Sequence, residues 1–174
     1  MKYHLTSRII HWIMSILIIF MIGLGIFMSD FLEKTNLDRT KVYELHKSLG
    51  VLVIIFFVYR LINRIIHQPP ALPIGLKNYE KTLTKLVHFS LYLLMIIAPL
   101  SGYLMSNAYG FEVKFFGIIL PNLISGNMDL AKIFSEVHEI SAFTLAGLIV
   151  LHILGALKHR FFDRKENDVL NRML

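Results

Sequence analysis

Hydrophobic residues are concentrated in four long stretches that are separated by polar connections. The first and third stretches contain no aspartate, glutamate, lysine or arginine. All four reach or approach the roughly 20 apolar residues that a membrane-spanning helix needs. The pattern predicts an all-α integral membrane protein, a four-helix bundle in which residues 1–174 form a single transmembrane domain. The predicted helices cover about residues 9–28, 46–66, 85–107 and 138–159.

Composition supports the membrane interpretation and excludes several classes of protein. The chain is 55% hydrophobic and 17% charged, whereas a soluble domain carries about a quarter charged residues. A soluble domain of this length would bury only about 70% of its surface, which is too little to hide this much Ile, Leu and Phe. The absence of cysteine excludes disulfides, iron–sulfur clusters, c-type haem attachment and thiolate zinc sites.

Lysine and arginine residues fall mostly on one side of the predicted bundle. Of the eighteen, twelve lie near the two termini or around the second connection, and six lie on the opposite side. By the positive-inside rule the side with twelve faces the cytoplasm, so both termini are predicted to be cytoplasmic. A net charge of +6 in this arrangement indicates contact with membrane lipid and argues against nucleic acid as a partner.

The first apolar stretch could also be compared with a secretory signal peptide, because Lys2 and Arg8 precede it. A signal peptide has an apolar core of about 7–15 residues followed by a small-x-small cleavage site. The stretch is longer than that, and no such site follows Met28. We therefore expect it to be retained as the first membrane helix.

The spacing of the histidines carries the functional information. His138 and His152 are fourteen residues apart, so in a helix they lie on nearly one face and about 21 Å apart along the axis. With the predicted orientation, His46 begins the second helix at the outer surface and His11 begins the first helix at the inner surface. Each membrane level therefore has two histidines on different helices.

Two histidines at each of two depths suit haem better than zinc. A zinc ion takes about four ligands at one point, which these positions cannot provide. Haem iron takes two axial ligands on opposite faces, and a helix bundle supplies them from facing helices. The pattern predicts two haems that carry electrons, because iron with both axial positions filled has no vacancy for oxygen. A haem-free proton or ion carrier that uses the same histidines as a relay is the alternative from another class.

Three further residues fit the predicted haem levels. Gly50 follows His46 by one turn, and Gly25 follows His11 by fourteen residues, so both could leave room for a porphyrin. Small residues also mediate ordinary helix packing in membranes, and that alternative stays open. Arg60 is fourteen residues after His46, at the inner level. It could pair with a propionate of the inner haem, or it could be a topology marker that extends to the headgroups.

The remaining histidines are ambiguous. His88 is expected at the inner level, where it could line a quinone pocket, form a hydrogen bond near the inner haem or simply lie at the interface. His159 is a rival inner ligand, but it is about 32 Å from His138 along the helix and matches that face less well. His4 and His67 are expected at the surface.

Several motifs together resemble the bacterial cytochrome b561 family. They are IIHW in the first helix, ELHKSLG and YRLINR in the second, and EVHE with LHILGALKHRFF in the fourth. The resemblance covers nearly the whole chain. It implies a four-helix protein of the bacterial inner membrane with two b-type haems and electron exchange with the quinone pool. It also implies that the axial ligands to the haem irons are His11, His46, His138 and His152.

The resemblance further implies an oxidoreductase. Some members are similar to enzymes that oxidise superoxide and pass the electron to ubiquinone, and related subunits anchor hydrogenases or formate dehydrogenases. The stand-alone length favours the first group. We therefore expect electrons to enter at the outer haem, to cross to the inner haem and to reduce quinone, or to run the other way. Lys47 at the outer surface could steer an anionic donor such as superoxide.

Overall fold

The computed structural model describes residues 2–174 and contains four long helices. Each is long and apolar enough to cross a membrane, which confirms the prediction of a four-helix membrane bundle. Short 3-10 turns at Leu32–Lys34, Lys165–Asn167 and Leu170–Arg172 accompany them. The helices are α1 (Leu5–Asp30), α2 (Arg39–Ile66), α3 (Asn78–Ala108) and α4 (Met128–Phe161).

The helices are longer than the apolar stretches predicted, mainly at their N-terminal ends. The side chain of Asp38 accepts a hydrogen bond from the backbone N–H of Lys41 and starts α2 well before residue 46. The side chain of Asn127 accepts from the N–H groups of Asp129 and Leu130, both at 3.0 Å, and starts α4 at Met128 rather than near residue 138. Polar capping residues, which hydropathy does not detect, therefore fix these two starts.

A small hairpin covers the N-terminal end of α2. Its strands, β1 (Lys114–Phe115) and β2 (Ile118–Ile119), pair antiparallel around Phe116 and Gly117, which both have positive φ. Two such residues are typical of the tight type I′ turn. The Ser48 hydroxyl donates to the carbonyl of Lys114 and accepts from the N–H of Phe116, both at 3.0 Å. The hairpin is thus fixed to α2 two residues from His46.

The two ends of the chain meet at the other end of the bundle. The N–H of Tyr3 donates to the carbonyl of Arg172 at 3.0 Å. The indole N–H of Trp12 donates to the carbonyl of Met173 at 2.9 Å. The Arg172 side chain reaches the carbonyl of Ala71 at 2.6 Å. The C-terminal segment therefore ties the start of α1 to the connection between α2 and α3, and both termini lie at the same end of the bundle.

Packing within the bundle is uneven. The contact between α3 and α4 is the most extensive, α1 packs on α2, and α4 touches α1 only slightly. Large apolar side chains on the outward faces are exposed, as they are in a protein surrounded by lipid (Ile16 is 70% exposed). The buried apolar core fills the middle of the bundle and comprises Ile10, Met14, Ile18, Val53, Phe57, Met95 and Leu145.

Candidate functional site

The structure brings the four singled-out histidines together in two pairs. The ring centres of His11 and His152 are 6.3 Å apart, and their planes are inclined by 79°. The ring centres of His46 and His138 are 6.2 Å apart, with the planes inclined by 86°. These are the same two pairs that the spacing along the helices gives. We name the first the inner pair and the second the outer pair, after the predicted orientation.

Both pairs have the spacing that a shared metal ion requires. An imidazole nitrogen lies about 2 Å from a bound transition-metal ion, so two rings on opposite sides of one ion have centres about 6 Å apart. The pairs also bridge α4 to α1 and α2, and of these α1 makes only slight contact with α4. The described residues therefore fit a b-type haem between the imidazoles at each level.

The two rings of the outer pair have different surroundings. The Nδ1–H of His138 donates to the carbonyl of Ala98 on α3 at 2.8 Å. Because a carbonyl only accepts, this bond places the proton on Nδ1 and leaves Nε2 as the free acceptor. The Nδ1 atom of His46 is buried and has no hydrogen-bond partner among residues 2–174. The outer pair therefore combines one firmly oriented ring with one that has an unsatisfied nitrogen.

Arg60 defines the surroundings of the inner pair. Its Nη1 donates to Nδ1 of His11 at 3.0 Å, and its Nε donates to the hydroxyl of Tyr92 at 3.2 Å. Because arginine only donates, Nδ1 of His11 is the acceptor here, and the proton of the neutral ring is on Nε2. For Nε2 to hold a metal, the proton would have to move to Nδ1 and this hydrogen bond would have to break. Arg64 lies over the same tyrosine ring, 5.4 Å from its centre. Arg60 thus lies in contact with the imidazole of His11; its pairing with a propionate stays a prediction.

His88 is a third imidazole at the inner level. Its ring centre is 5.2 Å from that of His152, edge to face, and its Nδ1–H donates to the carbonyl of Thr84 at 2.7 Å. His88 therefore lies beside the inner pair, in contact with His152. His4 and His67 stack on each other with ring centres 3.8 Å apart.

His159 belongs to a separate polar cluster between the N-terminal end of α3 and the C-terminal end of α4. Its Nδ1–H donates to Asp163 at 2.6 Å, and this hydrogen bond holds the pKa of the Asp163 carboxyl below its usual range. The group formed by Glu80, His159 and Asp163 has the spacing of a metal site. The ammonium of Lys158, however, already bonds to both carboxylates. Asp163 thus gives His159 a structural partner, and His152 is the histidine that faces His11.

The two glycines that the sequence singles out have different neighbours, and their role in making room for a porphyrin stays a prediction. A Cβ at Gly25 would lie 3.7 Å from Cε1 of His46, so this glycine does lie beside the outer pair. A Cβ at Gly50 would meet Met21 at 3.9 Å, which is ordinary packing between α1 and α2. Sequence reasoning missed Gly102, where a Cβ would lie only 3.0 Å from the ring of His138. The available signal was a glycine inside the third apolar stretch.

Lys47 at the outer end of α2 is engaged within the chain. Its ammonium donates to the carbonyl of Glu112 at 3.1 Å and lies over the ring of Phe111. The neighbouring Lys114 forms an ion pair with Glu44 at 2.9 Å. Both outer lysines thus help to hold the loop that covers α2, which is a role that the sequence did not indicate.

Comparison with known proteins places the chain among membrane cytochromes. The profile of the family described as prokaryotic cytochrome b561 matches residues 2–174. Cytochrome b561 homolog 2 of Escherichia coli (strain K12) is 32% identical over 174 residues, covering 99% of this chain and 91% of the relative. The probable superoxide oxidase CybB of Yersinia pestis is 26% identical over 172 residues, covering 99% and 96%. Cytochrome b561 homolog 1 of Escherichia coli (strain K12) is 22% identical over 172 residues, covering 99% and 97%. The chain belongs to the prokaryotic cytochrome b561 family.

Proposed function

We propose that this protein carries electrons across the bacterial cytoplasmic membrane on two b-type haems, from superoxide at the outer face to quinone in the membrane. His46 and His138 would hold the outer haem, and His11 and His152 the inner one. The observation that carries this proposal is the pairing of the imidazoles at two levels, with ring centres 6.2 and 6.3 Å apart.

Family membership already makes the chain a multi-pass bacterial membrane cytochrome that binds b-type haem and transfers electrons. The haem-free histidine relay is therefore set aside. When bound, a haem with imidazole on both faces supplies one-electron transfer and offers no free position to dioxygen. What the chain itself contributes is the position of the ligands, their hydrogen bonds and the exclusion of water.

The apolar core separates the two proposed haem levels. Leu145 is seven residues from both His138 and His152, so it lies midway between the levels on α4. Phe57 and Met14 are buried beside it in the same cluster. The distance between the levels is about 21 Å along the helix axis. This packing keeps water out of the space between the two pairs and holds them at a fixed distance.

The charges at the inner pair favour movement of electrons inward. The guanidinium of Arg60 lies 3.0 Å from the ring of His11, and Arg64 lies over the adjacent tyrosine. Neither arginine has a salt bridge to a carboxylate in the described chain. At the outer level Lys114 is neutralised by Glu44, and Lys47 donates to the carbonyl of Glu112 without contacting a histidine ring. The direct contact of a positive charge with the ring of His11 stabilises added negative charge there, which supports the inner level as the receiving end.

Superoxide and quinone form a balanced pair of reactants for this route. Two superoxide ions give up two electrons and become dioxygen, and quinone takes up two electrons and two protons to become quinol. The similarity to a protein named a probable superoxide oxidase supports superoxide as the donor. Quinone suits the membrane location because it dissolves in the lipid that surrounds the bundle.

The first measurement is the absorbance difference between the reduced and oxidised purified protein, with haem quantified per chain. We expect b-type bands and two haems per chain. One haem would require a different ligand assignment, and none would end the proposal.

In liposomes that contain the protein and ubiquinone, enzymatically generated superoxide should then yield quinol, and superoxide dismutase should abolish the yield. A large soluble subunit that copurifies, with no response to superoxide, would identify a dehydrogenase anchor instead.

Both termini are proposed to face the cytoplasm, since twelve of the eighteen lysines and arginines lie at that end. Green fluorescent protein fused after Leu174 should fluoresce, and alkaline phosphatase fused there should be inactive. Alkaline phosphatase inserted after Gly117, in the hairpin turn, should be active. The reverse pattern of activities would refute this orientation.

A further inference from the structure

We propose that two positions on α3, the carbonyl of Ala98 and the bare Cα of Gly102, form a seat that orients His138 and lowers the redox potential of the outer haem. The inference rests on the proposed function, because it takes His138 as an axial ligand. It starts from two contacts: the Nδ1–H of His138 donates to the Ala98 carbonyl at 2.8 Å, and a Cβ at Gly102 would lie 3.0 Å from Cε1 and Nδ1 of the same ring.

The hydrogen bond to Ala98 fixes the chemistry of the imidazole. It holds the proton on Nδ1, so Nε2 keeps its lone pair for a metal. A carbonyl that accepts from the distal N–H of a metal-bound histidine also makes the ligand more basic. A more basic ligand stabilises the oxidised metal, and the redox potential falls.

Gly102 makes this hydrogen bond possible. Non-bonded carbon atoms are most stable about 3.5–4.0 Å apart, so a methyl group at 3.0 Å would displace the ring. The backbones have little freedom to separate, because the contact between α3 and α4 is the most extensive in the bundle. The ring would therefore be displaced, and its hydrogen bond to Ala98 would lengthen.

Ser101 shares the same acceptor. Its buried hydroxyl donates to the carbonyl of Ala98 at 2.9 Å and so competes with His138 for the lone pairs of that oxygen. Removal of the hydroxyl adds no volume and leaves more of the acceptor to His138. Two substitutions should therefore have opposite effects on the hydrogen bond between His138 and Ala98. A Cβ added at Gly102 weakens it, and loss of the Ser101 hydroxyl strengthens it.

The inner pair has the opposite polarity at the corresponding atom. Nδ1 of His138 donates to a neutral carbonyl, whereas Nδ1 of His11 accepts from the cationic Arg60. The carbonyl at the outer ring lowers a redox potential, whereas the positive charge of the guanidinium beside the inner ring raises one. The seat on α3 therefore contributes to a potential difference that drives electrons from the outer to the inner haem.

The test is a redox titration of the purified full-length protein, followed by absorbance and by electron paramagnetic resonance. The His46→Ala variant identifies the signals of the outer haem. We expect Gly102→Ala to raise the outer potential, or to release the outer haem, with the inner potential unchanged. We expect Ser101→Ala to lower the outer potential. The low-spin g-values of the outer haem should also change in Gly102→Ala, because they depend on the angle between the ligand planes.

Matched controls are Gly147→Ala on α4, where an added Cβ would meet nothing within 4 Å, and Ser106→Ala, which removes another buried hydroxyl from α3. Both should leave the outer potential unchanged. A Gly102→Ala protein with an unaltered outer haem would overturn the proposal, and so would an outer potential that does not fall in Ser101→Ala. If Gly102→Ala loses both haems, the outer potential of Ser101→Ala decides whether the proposal stands. A parent protein without two haems would instead refute the proposed function.

Discussion

Replacement of His152 by alanine is expected to reduce the haem content from two per chain to one, with loss of the inner haem alone. The substitution removes one of the two imidazoles whose ring centres lie 6.3 Å apart and leaves His11 as a single ligand. The outer pair is about 21 Å away along the axis, and changes at such distant sites act independently. His46→Ala should remove the outer haem alone in the same way.

Haem content is measured by the pyridine haemochrome method on protein quantified by amino-acid analysis. His67→Ala is the matched control, because His67 lies at the inner end of α2 and its ring stacks on that of His4. It should retain both haems. Retention of two haems by His46→Ala or by His152→Ala would refute the ligand assignment. Loss of the inner haem from His159→Ala, but not from His152→Ala, would show that the rival histidine is the ligand.

The second large effect is expected from Arg60→Gln, which should lower the potential of the inner haem. The positive charge of Arg60, 3.0 Å from the ring of His11, disfavours positive charge on a metal held by that ring. We expect a fall of about 60 mV, which corresponds to a tenfold change in a one-electron equilibrium. Arg60→Lys keeps the charge and loses the guanidinium geometry, so the potential of its inner haem should lie between those of the parent and Arg60→Gln.

Arg64→Gln is the control for this prediction. Arg64 lies over the same Tyr92 ring as Arg60, at 5.4 and 5.6 Å from its centre, and of the two only Arg60 bonds to His11. Its replacement should shift the inner potential less. An unchanged inner potential in Arg60→Gln, or an equal shift of the outer potential, would contradict the proposed role. Loss of the inner haem from Arg60→Gln would favour the predicted pairing of this arginine with a propionate.

The helices and the histidine pairs could be predicted because both depend on regular periods. A run of about 20 apolar residues gives a membrane helix whatever surrounds it. A spacing of fourteen residues returns a side chain to nearly the same helix face, so His138 and His152 had to lie at two levels of one face. Hydropathy does not report capping, and for this reason the starts of α2 at Arg39 and α4 at Met128 were missed.

The surroundings of the ligands could not be predicted, because they depend on which helix faces meet. Gly102 matters only because α3 lies beside α4 at the level of His138, and nothing local in the sequence gives that alignment. Arg60 was placed at the correct depth, but its contact with His11 depends on how α1 rotates against α2. An arginine side chain has several rotatable bonds, so the depth of Arg60 along α2 does not by itself determine which group its guanidinium contacts.

The slight contact between α1 and α4 has a consequence for biogenesis. A chain freshly inserted into the bilayer has little direct adhesion along this seam, and a ligand that binds only the folded form stabilises that form by mass action. The haems would then hold α1 and α4 together, and maturation of the folded bundle would depend on the supply of haem.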